Sequence, residues 1–278
     1  MIYYPILIRE KDDLVEFEIL SIIIFGLIIG SFLNVLIYRL PLGISLLKPR
    51  RSFCTNCNIK IKWYENIPII SYILLKTRCS SCKKKISILY PLVELLTSAI
   101  TLLLFLKLHF TVEFYFISTI FYLLIVLSFI DLQYKAVPYT LLIVIVTITL
   151  FYLFYLHKEN LSTFFIFTGT IVTIEFFLTY YIQNVKAKIF NDDSLKIQKA
   201  LGEGDIPIIA IIGGILGLQF GILAIFLSAI LAIIPSLINK VFKNEIETPF
   251  IPYLSLSLII IYLSGDKILN ILKGLYLV

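Results

Sequence analysis

Long apolar stretches separated by short polar ones dominate this chain. They run from Ile19 to Tyr38, Pro91 to Leu106, Phe114 to Ile130, Val137 to Leu156, Leu161 to Ile182, Ile206 to Ile238 and Ile251 to Ser264. Most approach the ~20 residues that carry an α-helix across a bilayer. The stretch 206–238 is too long for one span, and Gly213, Gly214, Gly217 and Gly221 near its middle predict a reversal into two short helices. The pattern thus predicts an all-α polytopic membrane protein with about eight transmembrane helices. Composition agrees: 59% of the residues are hydrophobic, 15% are charged and the mean hydropathy is +0.97. A disordered chain, a collagen and a small disulfide scaffold are excluded.

Charge then sets the expected topology. The segment from Arg39 to Tyr90 holds eleven Lys or Arg and one acid, Glu65. The positive-inside rule places this segment in the cytoplasm and the N-terminus outside. Residues 1–18 hold Arg9 and Lys11 against Glu10, Asp12, Asp13, Glu16 and Glu18, the reverse of a signal-peptide start, so no cleaved targeting segment is expected. Threading eight spans from there leaves 18 of the 24 basic residues inside, with Lys135, Lys186, Lys188, Lys196, Lys199, Lys240 and Lys243 in the later inside loops. The net charge of +6 therefore reads as topology and lipid attraction, and no nucleic-acid partner is expected.

All four cysteines lie in that basic segment, as Cys54-Thr-Asn-Cys57 and Cys79-Ser-Ser-Cys82. Each CxxC turn brings two thiolates to one face of a knuckle. Two knuckles close a tetrahedral site with no open position, the mark of structural zinc. Disulfides are the alternative, but they need an oxidising compartment, which the charge argument denies. A basic segment with few large apolar side chains has no core of its own, so a metal would substitute for one. Trp63 and Tyr64 are expected to pack beside it. The expected organisation is an extracytoplasmic N-terminus and first helix (1–38), a cytoplasmic zinc-ribbon-like insertion (39–90) and a transmembrane domain (91–278).

Acids in or beside membrane helices are costly and mark functional candidates. They are Glu94, Asp131, Glu175 and Asp205. Asp131 ends the third span and Asp205 begins the sixth, so the threading puts both at the cytoplasmic face. Two carboxylates meeting there can share one proton, one activating a water while its protonated partner polarises a scissile carbonyl. Gly202 and Gly204, in Gly202-Glu203-Gly204-Asp205, would let a substrate backbone approach. Either aspartate alone could equally be a helix cap or interfacial anchor. Glu94 and Glu175 fall within spans, where they could be packed residues with no chemical role, and His109 and His157 fall in outside loops without metal or triad partners in sequence.

These residues resemble the bacterial type IV prepilin peptidases, GxGD-type intramembrane aspartic proteases that are also N-methyltransferases. Gly30-Ser-Phe-Leu-Asn-Val35 running on to Arg39-Leu-Pro41 is similar to that family's first-helix signature. Residues Cys54 through Trp63-Tyr-Glu-Asn-Ile-Pro68, Ser71-Tyr72, Arg78-Cys79-Ser-Ser-Cys82 and Tyr90-Pro-Leu-Val-Glu-Leu-Leu-Thr97 resemble its zinc segment, and Ile130-Asp131 with Pro138 and Gly202-Glu-Gly-Asp205 fall where its catalytic aspartates lie.

The resemblance implies cleavage of a short basic leader from type IV prepilins and type II secretion pseudopilins. Cleavage would follow a glycine, at the cytoplasmic side of the inner membrane, with methylation of the new N-terminus by S-adenosylmethionine. Two positions depart from the family pattern: Tyr139 replaces an Asp or Asn, and Pro207 a Lys. No glycine-rich loop for S-adenosylmethionine can be read. Two readings from other classes compete. A proton-coupled carrier would use the four acids as a relay, and a non-enzymatic assembly factor would use the zinc module to bind a partner.

Overall fold

A computed structural model describes residues 4–49, 51–243 and 248–276, with the side chains of 4–15, 239–243 and 266–276 outside the description. Arg50, one of the eleven basic residues of the first loop, and the loop 244–247 lie outside it, as do the side chains of most charged residues in the N-terminal segment. The described chain is almost wholly helical: α1 (Tyr4–Arg39), α2 (Ile70–Leu74), α3 (Leu89–Leu108), α4 (Val112–Tyr134), α5 (Tyr139–Leu156), α6 (Leu161–Tyr180), α7 (Ala187–Phe190), α8 (Asp205–Lys243) and α9 (Ile251–Tyr276). Six helices are long and apolar enough to cross a membrane, and Ile251–Gly265 is a shorter apolar one. This is a multi-pass membrane protein. Its outward faces carry Leu20, Ile24, Phe32, Phe151 and Phe176, all exposed, as a surface turned to lipid requires.

The helix α8 breaks at Gly217, whose φ of +70° and ψ of −174° no helix contains. A Cβ on Gly221 would stand 3.4 Å from the Cα of Gly213, eight residues earlier. In a continuous helix eight residues rise ~12 Å, so the two halves fold back side by side. The phenyl ring of Phe167 on α6 lies against both Gly213 and Gly221, filling the space that the missing side chains leave. The reversal expected from the glycine cluster is therefore present, and counting both halves with α9 gives eight apolar helices.

Two compact units divide the chain, Met1–Val126 and Leu127–Val278, with α4 running through the division. In the first unit α1 and α3 cross antiparallel at two glycines. A Cβ on Gly26 would meet the Ser98 Cα at 2.6 Å, and one on Gly30 the Glu94 Cα at 2.6 Å. The register continues one turn on, where Asn34 Nδ2 donates to the Tyr90 carbonyl at 3.0 Å. Hydrocarbon gives two helices no hydrophobic reason to associate, so backbone proximity at a GxxxG spacing carries the contact. In the second unit Ile208, Ile211 and Ile212 of α8 and Leu254 and Leu258 of α9 are fully buried.

Arg39 closes α1. Only 3% exposed, its guanidinium donates to the carbonyls of Ser45, Leu46, Pro49 and Arg51 at 2.9–3.3 Å and lies 5.6 Å from the Phe53 ring centroid. It organises the chain that leads into the cysteine segment.

The helix crossing generates a prediction. Gly30→Val should destabilise the protein by about 1–3 kcal/mol, because the added atoms meet backbone that cannot yield. Gly169→Ala, where a Cβ meets nothing within 4 Å, should leave the thermal midpoint in detergent unchanged or slightly raised. A Gly30→Val protein as stable as wild type would mean that the crossing does not hold the pair.

Candidate active site and metal centre

Asp131 stands in the last turn of α4 and Asp205 opens α8, both within the second unit. The fold brings them into one neighbourhood: the charge of Asp131 acts on Asp205, and both side chains are buried, at 7% and 8% exposure. The Ile251 N–H, at the start of α9, donates to Asp131 Oδ2 at 3.2 Å. The backbone of Gly202 hydrogen-bonds the Asp205 carboxylate, and the Asp205 N–H donates to the Gly202 carbonyl at 3.1 Å. Two acids at helix ends thus share a buried site that backbone groups line.

The glycines beside Asp205 are there for close approach. A Cβ on Gly202 would stand 3.0 Å from Asp205 Oδ2, and one on Gly204 would meet Ile251 Cδ1 at 3.1 Å and Val137 Cγ2 at 3.4 Å. The residue between them points elsewhere. The carboxylate of Glu203 accepts hydrogen bonds from the Tyr139 hydroxyl and from Lys199. These partners, Lys199 first and Tyr139 second, hold it below the ordinary range for a glutamate. Tyr139, a departure from the family pattern, thereby ties the start of α5 to the segment before α8. Pro207, the other departure, lies in the first turn of α8, where its missing N–H removes no helical hydrogen bond.

The other two acids have hydrogen-bond partners of their own. Glu94, in the first unit, accepts from the Ile69 N–H at 2.8 Å and from the Ser31 side chain. Glu175 Oε1 accepts from Thr179 on its own helix at 3.0 Å. His157 Nδ1 lies 3.3 Å from Glu159 Oε1, and His109 ends α3 with its ring edge-on to Phe105.

The four cysteines do converge. Their Sγ atoms all lie within 4.8 Å of one another, and Cys54 and Cys82 are 3.8 Å apart. A tetrahedral ion bound at ~2.3 Å by four thiolates sets its sulfurs ~3.8 Å apart. The knuckles are built alike. Phe53 bridges Lys60 around one and Arg78 bridges Lys85 around the other. The Cys54 N–H donates to Ile59 and the Cys79 N–H to Lys84, while Asn58 and Lys83 adopt positive φ at equivalent places.

The electrostatics also suit a cation. The Lys84 N–H and then the Asn56 side chain push the Cys82 thiol down to about 6. Cys57 moves the other way, to about 11: the Ile59 N–H favours its thiolate, but burial and the sulfurs of Cys54, Cys82 and Cys79 prevail. Four thiols this close cannot all ionise until a cation joins them. The residues therefore fit a metal ion. Trp63 does not pack beside them as expected; it is 77% exposed, with its ring edge-on to Tyr64 at 5.7 Å.

Reading the sequence missed three contributors. Ile251 acts through its backbone, which carries no sequence signal. Glu203 had a signal in the sequence, Lys199 four residues before it, the spacing of an ion pair. Gly26 was legible as the partner of Gly30 in a GxxxG spacing.

Comparison with known proteins gives a consistent picture. Residues 24–108 match the bacterial peptidase A24 N-terminal domain, and residues 118–237 match the type IV leader peptidase family. A prepilin leader peptidase/N-methyltransferase of Vibrio cholerae is 30% identical over 249 residues, which cover 87% of this chain and 94% of that protein. One of the same name from Neisseria gonorrhoeae is 29% identical over 273 residues, 88% of this chain and 90% of that one. Another, from Myxococcus xanthus, is 43% identical over a shorter 115 residues, 41% of this chain and 34% of that one. No solved structure gives a significant match. A similarity that takes in both domain types and runs nearly end to end means that this chain belongs to the type IV leader peptidase family and is an enzyme, a peptidase with methyltransferase activity.

Proposed function

We propose that the protein cleaves the short basic leader from type IV prepilins and pseudopilins after a glycine, using Asp131 and Asp205 as the catalytic pair. The observation that carries this reading is the burial of the two carboxylates in one unit within reach of each other's charge, beside glycines that leave backbone open to approach. Like charges so placed share a proton: the ionised carboxylate draws a proton from the attacking water, and the protonated one donates to the scissile carbonyl oxygen. The tetrahedral intermediate collapses when a proton passes to the leaving amine. Gly202 and Gly204 give an extended leader room beside Asp205.

The methyltransferase activity acts on the newly exposed N-terminus, with S-adenosylmethionine supplying the methyl group. Residues 39–90 serve as the metal module, with structural zinc held by Cys54, Cys57, Cys79 and Cys82, and residues 91–278 carry the peptidase. The enzyme resides in the bacterial inner membrane with the site facing the cytoplasm, the side on which the basic loops and a basic leader would both lie. Chemistry favours zinc over disulfides here: four thiols within 4.8 Å of one another, with Cys82 depressed, fit a cation shared by all four.

Asp131→Asn and Asp205→Asn should each insert normally and lose cleavage by about a thousandfold or more, with the double variant little worse than either single one. Immunoblots of precursor and mature pilin measure this, and processing near the wild-type rate by either variant would remove the pair from the mechanism.

Purified protein should carry one zinc per chain by elemental analysis, and the double variant Cys54→Ser, Cys57→Ser should carry none. Thiols that react only after a reductant is added would indicate disulfides instead.

The two activities should also separate. Cys79→Ser with Cys82→Ser should reduce N-methylation more than cleavage, since methyl transfer needs an amine and a methyl donor held in line whereas hydrolysis needs only the acids, water and an extended strand. Mass spectrometry of the processed pilin decides this. A fully methylated N-terminus from the zinc-free variant would end the division of labour.

A further inference from the structure

The exposed face beside the metal module has a definite position in depth. Helix α3 is 20 residues long, ~30 Å, the length that a hydrocarbon layer requires of a span, so its ends mark the two interfaces. Glu94 is five residues inside it, ~7.5 Å from its start. On α1 the same level is Gly30, nine residues short of that helix's end. The Glu94 carboxylate accepts the Ile69 N–H at 2.8 Å. A helical side chain leans toward the helix N-terminus, so this carboxylate holds the loop carrying Ile69 beside the first turns of α3, at the level where the span meets the membrane interface.

What hangs from that hydrogen bond is apolar. Ile69 has φ +60° and ψ −50°, a strained turn conformation that a β-branched residue adopts only when held there, and it turns the chain into α2. Along α2, Ile70, Ile73 and Leu74 recur at i, i+3 and i+4 and are 54%, 66% and 74% exposed. The turn Trp63–Asn66 packs against α2, and its Trp63 indole is exposed as well. Lys60 and Lys62 precede the segment and Lys76 and Arg78 follow it, all exposed, and Glu65, its one acid, is bound to the Lys62 N–H. Apolar residues, an indole and flanking cations are what an anionic membrane interface recognises.

We propose that residues 63–75 form an interfacial anchor, seated in the headgroup and outer acyl region of an anionic leaflet, with Trp63, Ile70, Ile73 and Leu74 in lipid and the flanking basic side chains among the phosphates. The anchor holds the metal module flat against the bilayer at the mouth of the α1–α3 pair. Glu94 has a role in it that the peptidase mechanism does not give: its hydrogen bond to the Ile69 N–H pins the segment at the start of α3.

Trp63 is the single tryptophan of the chain, so the intact wild-type protein reports on the segment directly. The full chain is reconstituted in phosphatidylcholine–phosphatidylglycerol vesicles in which the acyl chains carry bromine near the headgroup or near the tail. Headgroup-proximal bromine should quench Trp63 roughly twofold or more, tail-proximal bromine less, and aqueous iodide should have little effect. The double variant Trp63→Phe, Leu74→Trp moves the reporter onto α2 and should also be quenched by lipid. Iodide quenching without bromolipid quenching would place the face in water, and protection from both would mean that protein covers it. Either result overturns the proposal, and neither bears on the aspartate pair.

Discussion

A hydrocarbon interior offers no hydrogen-bond partner to the backbone, and most features of this protein follow from meeting that condition. The spans are helical because helices satisfy their own N–H and C=O groups. At their ends, where this self-sufficiency stops, side chains take over. Arg39 gathers four carbonyls of the chain leaving α1, Glu94 takes the N–H of Ile69, and Asn34 reaches the carbonyl of Tyr90. Each of these polar residues would be costly where it stands without its backbone partner.

The proposed catalytic pair uses the same helix ends for a different purpose. A carboxylate deep in a span would have no water to activate, and one on an exposed loop would have no reason to share a proton. Asp131 in a last turn and Asp205 in a first residue avoid both extremes, being buried by neighbouring chain yet placed at span termini. The reversal at Gly217 contributes from a distance. By folding α8 back on itself around Phe167 it fixes the first half of that helix, and so Asp205 at its start.

How much of this could be read in advance depended on whether a property was local. The spans were legible because bilayer crossing demands a run of apolar residues whatever its neighbours, and the reversal in α8 because only glycine suits the backbone that Gly217 adopts. The cysteine cluster was legible because CxxC spacing encodes a knuckle. Contacts made by backbone atoms, such as Ile251 with Asp131, or between residues distant in sequence, such as Tyr139 with Glu203, leave no local trace. Trp63 shows the opposite failure: an aromatic residue close in sequence to a metal site invites a packing role, while its indole is exposed.

The metal module follows from these restraints. It has two bridges, no strand among the described residues, and few buried apolar side chains, so its own contacts cannot hold it folded. Three ties replace a core: the four thiols gathered within 4.8 Å of one another, Arg39 at its entrance and Glu94 beside its middle. Two of the three are side chains of the membrane helices themselves. Because Gly30 and Glu94 meet at the α1–α3 crossing, a disturbance of that crossing displaces the carboxylate that holds Ile69. The module and the helix pair that carries it are thus one cooperative structure, and a change in either is felt in the other.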